Sequence, residues 1–60
     1  PDGREYTPVI KGVDRVLGTD SIEQGTKHLV VYEASGKWLT AVISLRSFAI
    51  EKKGELPARP

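Results

Sequence analysis

Cysteine and methionine are absent from this 60-residue chain, and histidine occurs once. Without Cys there is no disulfide and no thiolate metal site, and His28 with carboxylates scattered along the chain cannot build a zinc centre. No metal or other cofactor is expected. The missing Met predicts a chain trimmed at its start or taken from a longer protein, and the missing disulfides fit a cytoplasmic setting. Long apolar runs are lacking as well. The longest is Leu29-Val30-Val31-Tyr32, far below the ~20 residues that a spanning helix needs, and no charged-then-apolar leader opens the sequence. No membrane partner is expected.

An excess of one charge is the last absence. Nine Lys and Arg stand against eight Asp and Glu, a net charge of +1, and opposite signs alternate, as in Asp14-Arg15 and Glu51-Lys52-Lys53. A chain built to neutralise phosphates carries a clustered basic excess. Folding can still gather Lys27, Lys37, Arg46, Lys52 and Lys53 along one edge, so nucleic-acid binding with aromatic stacking stands as an alternative function. Charges at strand ends also serve simply to keep edges solvated and unpaired.

What the sequence does hold is short, alternating, β-favouring segments. A domain this small buries a thin core, worth about 3–5 kcal/mol, so association with a second copy is a plausible source of further stability. Residues 5–53 read as the folded domain. Pro1 to Arg4 lack an apolar anchor, and Gly54 to Pro60 mix breakers with charge, so both ends read as tails.

Tyr6 to Lys11 suggests a strand with Tyr6, Pro8 and Ile10 on one face, held to a sheet edge because Pro8 has no N–H to donate. Gly12 permits a bend, and Val13 to Thr19 suggests a second strand. Asp20 to Thr26 is turn chemistry. Asp20 with Glu23 resembles a capping box, but Gly25 leaves room for one helical turn at most. Lys27 to Glu33 is the clearest strand, with Leu29 and Val31 on one face and His28, Val30 and Tyr32 on the other. Ala34-Ser35-Gly36-Lys37 signals a tight hairpin, since Gly36 takes the positive φ such turns require. Trp38 to Ile43 pairs with the preceding strand, Leu39, Ala41 and Ile43 facing one way and Trp38, Thr40 and Val42 the other. Ser44 to Phe48 then reads as a short turn before a last strand, Ala49 to Lys52.

One alternative remains for the C-terminal part. Trp38, Val42, Leu45, Phe48 or Ala49 and Lys52 make a helical stripe, with Gly54 as its stop, which would give an α+β fold with a helix near 38–53. Thr40, Val42, Ile43 and Ile50 argue against it, because branched side chains lose rotamer freedom in a helix.

Catalytic chemistry is not in view. His28 has no sequence-local partner, the serines lack a nucleophile's surroundings, and the glycines are too dispersed to cradle a phosphate. No enzyme activity is expected. Aromatic residues are more informative. Tyr32 and Trp38 flank the hairpin, and with Tyr6, His28 and Thr40 they suggest a partner-binding platform, amphipathic rings being frequent anchors of interfaces. The competing reading, and the favoured one for this residue, makes Trp38 the main core residue of a domain short of large side chains. A hairpin with apolar groups on both faces carries more than a small monomer can bury.

Val16-Leu17-Gly18, then after ten residues Leu29-Val30-Val31-Tyr32, then Gly36-Lys37-Trp38 and Leu45-Arg46-Ser47-Phe48, resembles a small bacterial family of SH3-like domains of unknown function. Dimerisation domains of some plasmid repressors are SH3-like too, as is the plasmid-borne trimethoprim-resistant dihydrofolate reductase, but the resemblance to that enzyme fails at its active-site strand. That enzyme's Val-Gln-Ile-Tyr strand has only Leu29-Val30-Val31-Tyr32 as its counterpart, with no Gln to hydrogen-bond a pterin. The resemblance implies an all-β, SH3-like barrel of four to five short strands with a one-turn 3₁₀ helix. The expected function is a small interaction or dimerisation module whose partner is a protein, a second copy included. An oligomeric enzyme with a shared inter-subunit site is a further alternative.

Overall fold

The structure, a computed structural model, describes residues 6 and 8–57. Four strands follow one another: β1 (Arg15–Ile22), β2 (Lys27–Ala34), β3 (Lys37–Ser44) and β4 (Ala49–Glu55). They form one antiparallel sheet in sequence order, with a 3₁₀ turn at Glu23–Gly25 between β1 and β2. The expected all-β class holds, and the stretch 38–53 is strand, turn and strand rather than helix. The sheet is open: β1 and β4 are its two edges and are not hydrogen-bonded to each other. Among the described residues no helix is long and apolar enough to cross a membrane.

Register follows from the turns. Ser35 and Gly36, at φ of 53° and 76°, make a two-residue hairpin loop in which both central residues are left-handed, matching the twist of the flanking strands. Ala34 then pairs with Lys37, Glu33 with Trp38 and Tyr32 with Leu39. At β1–β2 the reversal is built from Glu23, Gln24 and Gly25, all at positive φ, closed by Thr26, whose N–H and Oγ1 both donate to the Glu23 carbonyl. No side-chain cap is formed there, because Asp20 lies inside β1 and the capping position falls to Ile22. A bulge at Leu17 in β1 and another at Glu51 in β4 reset the pairing of the edge strands. Bulges bend an edge and blunt it against stray pairing.

Alternation divides the sheet into an inner and an outer face. The inner face holds Val30, Tyr32 and Ala34 of β2 and Ala41 and Ile43 of β3, all buried, with Val16, Leu39 and Ile50 packed beside them. Its cover is the segment before β1. There Val9 and Ile10 N–H groups both donate to the Tyr6 carbonyl, at 2.9 and 2.7 Å, and the resulting turn drops Tyr6 and Ile10 onto the sheet, with 6% and 2% of their surfaces exposed. The strand expected over Tyr6 to Lys11 is therefore this covering turn. A second apolar layer is what the inner face of a single sheet needs, and a strand at the edge would have left it uncovered.

Other boundaries also move. The first strand of the sheet starts at Arg15 rather than Val13 and runs through Ile22, so part of the expected Asp20–Thr26 loop is β structure. As an edge strand, β1 carries polar residues on its exposed side without cost. At the other end β4 continues through Gly54 and Glu55, and the Leu56 N–H donates to the Trp38 carbonyl at 3.0 Å. The sheet thus extends past the expected boundary at Lys53. The tail residues 1–4 and 58–60 lie outside the described residues, as do Glu5 and Thr7.

Candidate functional site

The outer face is ordered as rows that cross all the strands. One row reads Gly18, Val31, Thr40, Gly54; the next reads Asp20, Leu29, Val42, Lys52. On one side of these lies Arg15, Glu33 and Trp38, and on the other Ile22, Lys27, Ser44 and Ala49. Leu29, Val31, Trp38, Thr40 and Val42 are each partly exposed. None belongs to the packed core, and the segments that join the core from outside the sheet, through Tyr6, Val9, Ile10 and Val13, all join it on the inner face.

Polar contacts fix the margins of this surface. Glu33 receives Trp38 Nε1–H on Oε2 at 3.3 Å and Arg15 Nε–H on Oε1 at 3.2 Å, which ties the indole to its row neighbour and satisfies its polar edge. The Asp14 N–H donates to the Glu33 carbonyl at 2.8 Å, and the Ser35 N–H donates to Asp14 Oδ2 at 3.3 Å, tying the entry to β1 against the hairpin tip. At the opposite margin Lys27 Nζ lies 2.7 Å from Glu51 Oε1. The hydrogen bond and charge of Glu51 hold the Lys27 pKa above its usual value. Near the β1 edge the sheet surface dips into a shallow hollow of about 180 Å³ lined by Gly18, Thr19, Asp20, Leu29 and Val31.

The residues singled out from sequence fall on both faces. Tyr6 and Tyr32 are buried on the inner side, at 6% and 1% exposure. His28 shares that face, its Nδ1 3.5 Å from Tyr6 Oη. Trp38 and Thr40 lie on the outer face. Tyr32 and Trp38 therefore do not make one platform, and Tyr32 has no surface left to offer a partner. The reason is the hairpin loop: with two residues between the strands, even-numbered residues of β2 share a face with odd-numbered residues of β3. The alternative core role for Trp38 is filled by Tyr32.

The outer-face residues that the reading missed as site residues are Leu29 and Val31, Gly18 and Gly54, and Asp20; Lys52, expected as part of the basic set, also lies on this face. Their signal was present in the alternation of Lys27 to Glu33, once its parity is carried across the turn. The basic set is gathered only in part: Lys27 and Arg46 line one hollow with Thr26, Ser44 and Glu51, and the others are spread. Lys37 begins β3 and Arg46 follows its far end, Lys27 is ion-paired, and Lys52 and Lys53 point to opposite faces of β4. Among the described residues no group of three or more His, Asp or Glu is placed to hold a metal ion.

Set against protein-family models, curated proteins and solved structures, the chain matches none.

Proposed function

We propose that this chain is a small, non-catalytic protein-interaction module that associates through the outer face of its sheet. The observation that supports this reading is the arrangement of Leu29, Val31, Trp38, Thr40 and Val42. They form a contiguous, partly exposed and mostly apolar surface across two paired strands, and none of them belongs to the packed core. Apolar surface left in water on a domain with so small a core is costly, and covering it by association recovers free energy in proportion to the area buried. The indole pinned to Glu33 adds a pre-ordered aromatic anchor, which lowers the entropy lost on contact.

Val31 lies at the middle of this surface and tests the reading. Wild-type protein should show concentration-dependent association in sedimentation velocity between micromolar and millimolar concentrations. Val31→Lys should abolish it while leaving the thermal unfolding midpoint within a few degrees, because a Lys at a partly exposed position extends its ammonium into water. Association unchanged by Val31→Lys, or a wild type that stays monomeric throughout, would overturn the proposal.

A further inference from the structure

The outer face is self-complementary about one direction only. Asp20 on β1 and Lys52 on β4 occupy the two ends of a single row whose middle is Leu29 and Val42. Both are exposed, and neither is among the ion pairs that the described residues form. Beside Asp20 is the hollow of about 180 Å³, floored by Gly18, Leu29 and Val31. Its lining is that of a site for an alkyl-ammonium side chain: apolar along its length, with one carboxylate at its rim. Lys52 is such a side chain, standing at the opposite edge of the same row.

A two-fold axis parallel to the strands, running between β2 and β3, lays β1 of one copy over β4 of the other and keeps each row over itself. Lys52 then enters the partner copy's hollow and meets its Asp20, and the symmetry makes this contact twice. Between the two ion pairs, Leu29 of each copy faces Val42 of the other, and Val31 faces Thr40. The glycines at both ends of the neighbouring row, Gly18 and Gly54, keep the edges low enough for the sheets to close to the usual ~10 Å. A two-fold axis perpendicular to the strands instead lays β1 over β1 and β4 over β4. That brings Asp20 toward Asp20 and Lys52 toward Lys52, and like charges at an interface oppose association.

We infer that the partner on the outer face is a second copy of this chain, packed sheet to sheet about a two-fold axis parallel to the strands, with Lys52 of each copy seated in the Gly18–Asp20–Leu29–Val31 hollow of the other. The inference rests on the proposed use of the outer face and adds to it the partner, the axis and the residues that set the register. Such an isologous contact closes on itself and stops at the dimer. Four strands about 4.8 Å apart and some seven residues long cover roughly 500 Å² per copy. The resulting total of about 1,000 Å² sits at the lower limit for specific interfaces, so the dimer is a weak and reversible one.

Charge exchange tests it. Asp20→Lys alone and Lys52→Asp alone should each weaken dimerisation at least about tenfold, since each places like charges together at both ends of the row. Mixing the two variants should restore a dimer containing one chain of each. In that mixed species both end contacts join opposite charges, whereas either homodimer joins like charges twice. Both substitutions are on exposed strand positions, and equal unfolding midpoints would show that folding is unaffected. Native mass spectrometry of the mixture, with one variant isotope-labelled, reads the outcome. If Val31→Lys abolishes the dimer while both charge variants dimerise like wild type, the face is in use and the inferred axis is wrong. A mixture no more dimeric than its components also overturns the inference, and a monomeric wild type removes it together with the function it rests on.

Discussion

Tyr32 lies at the centre of the inner face with 1% of its surface exposed, and burial raises its phenol pKa above the ordinary 10.0. Desolvation disfavours tyrosinate, so the unfolded chain ionises first as pH rises. Below the unfolded value both states hold the proton and stability is unaffected. Above it the unfolded state releases protons that the native state retains, and stability falls. The Lys27–Glu51 pair acts in the same direction, because a raised Lys pKa contributes stability that is lost as pH climbs through it. Stability is therefore expected to be flat through neutral pH and to decline from about pH 10 upward. Tyr32→Phe should reduce that decline and leave the part due to Lys27, as followed by urea unfolding from neutral pH to about pH 11. An alkaline decline of unchanged steepness in Tyr32→Phe would assign it to other groups.

The β2–β3 hairpin is the element that the sequence specifies most fully. Alternating β-branched and aromatic residues, a Gly at the second loop position and a second alternating run leave little choice of structure. Ser35 at φ 53° and Gly36 at φ 76° complete it. Replacing Gly36 with Ala forces a Cβ into the left-handed region and should cost about 1 kcal/mol or more. Ser35→Asn should gain a few tenths to about 1 kcal/mol, since Asn tolerates that region and favours this turn. Both are read from urea midpoints at constant m-value. The segment before β1 was far less legible. Tyr6, Pro8 and Ile10 alternate as a strand does, yet two N–H groups converge on the Tyr6 carbonyl and make it a turn. Its conformation is decided by the inner face it covers, a long-range requirement that a local pattern does not carry. β1 was misplaced at both ends for a related reason. An edge strand with polar Thr19, Asp20 and Ser21 reads like a loop, and only its pairing with Val30, Leu29 and His28 makes it β.

At the scale of the whole molecule, a thin domain has to divide its few large side chains between holding itself together and meeting a partner. Apolar groups on both faces of the hairpin already suggested more apolar surface than one thin core takes, but assigning it to faces required the parity of a two-residue loop. Grouping Tyr32 with Trp38 by like parity put one core residue and one surface residue on the same imagined platform. With the register in hand, the two aromatics separate the two tasks and predict opposite phenotypes. Tyr32→Ala removes a fully buried ring and should cost about 3–5 kcal/mol, as much as the entire stability expected of a domain this size. Its product should be unfolded by circular dichroism at room temperature. Trp38→Ala removes a partly exposed ring and one hydrogen bond to Glu33, and should cost only about 1–2 kcal/mol. That variant should remain folded at moderate temperature and yet be monomeric in sedimentation at concentrations where the wild type pairs. If Trp38→Ala instead unfolded as Tyr32→Ala does, the outer face would belong to the core and the division of labour argued from the register would be lost.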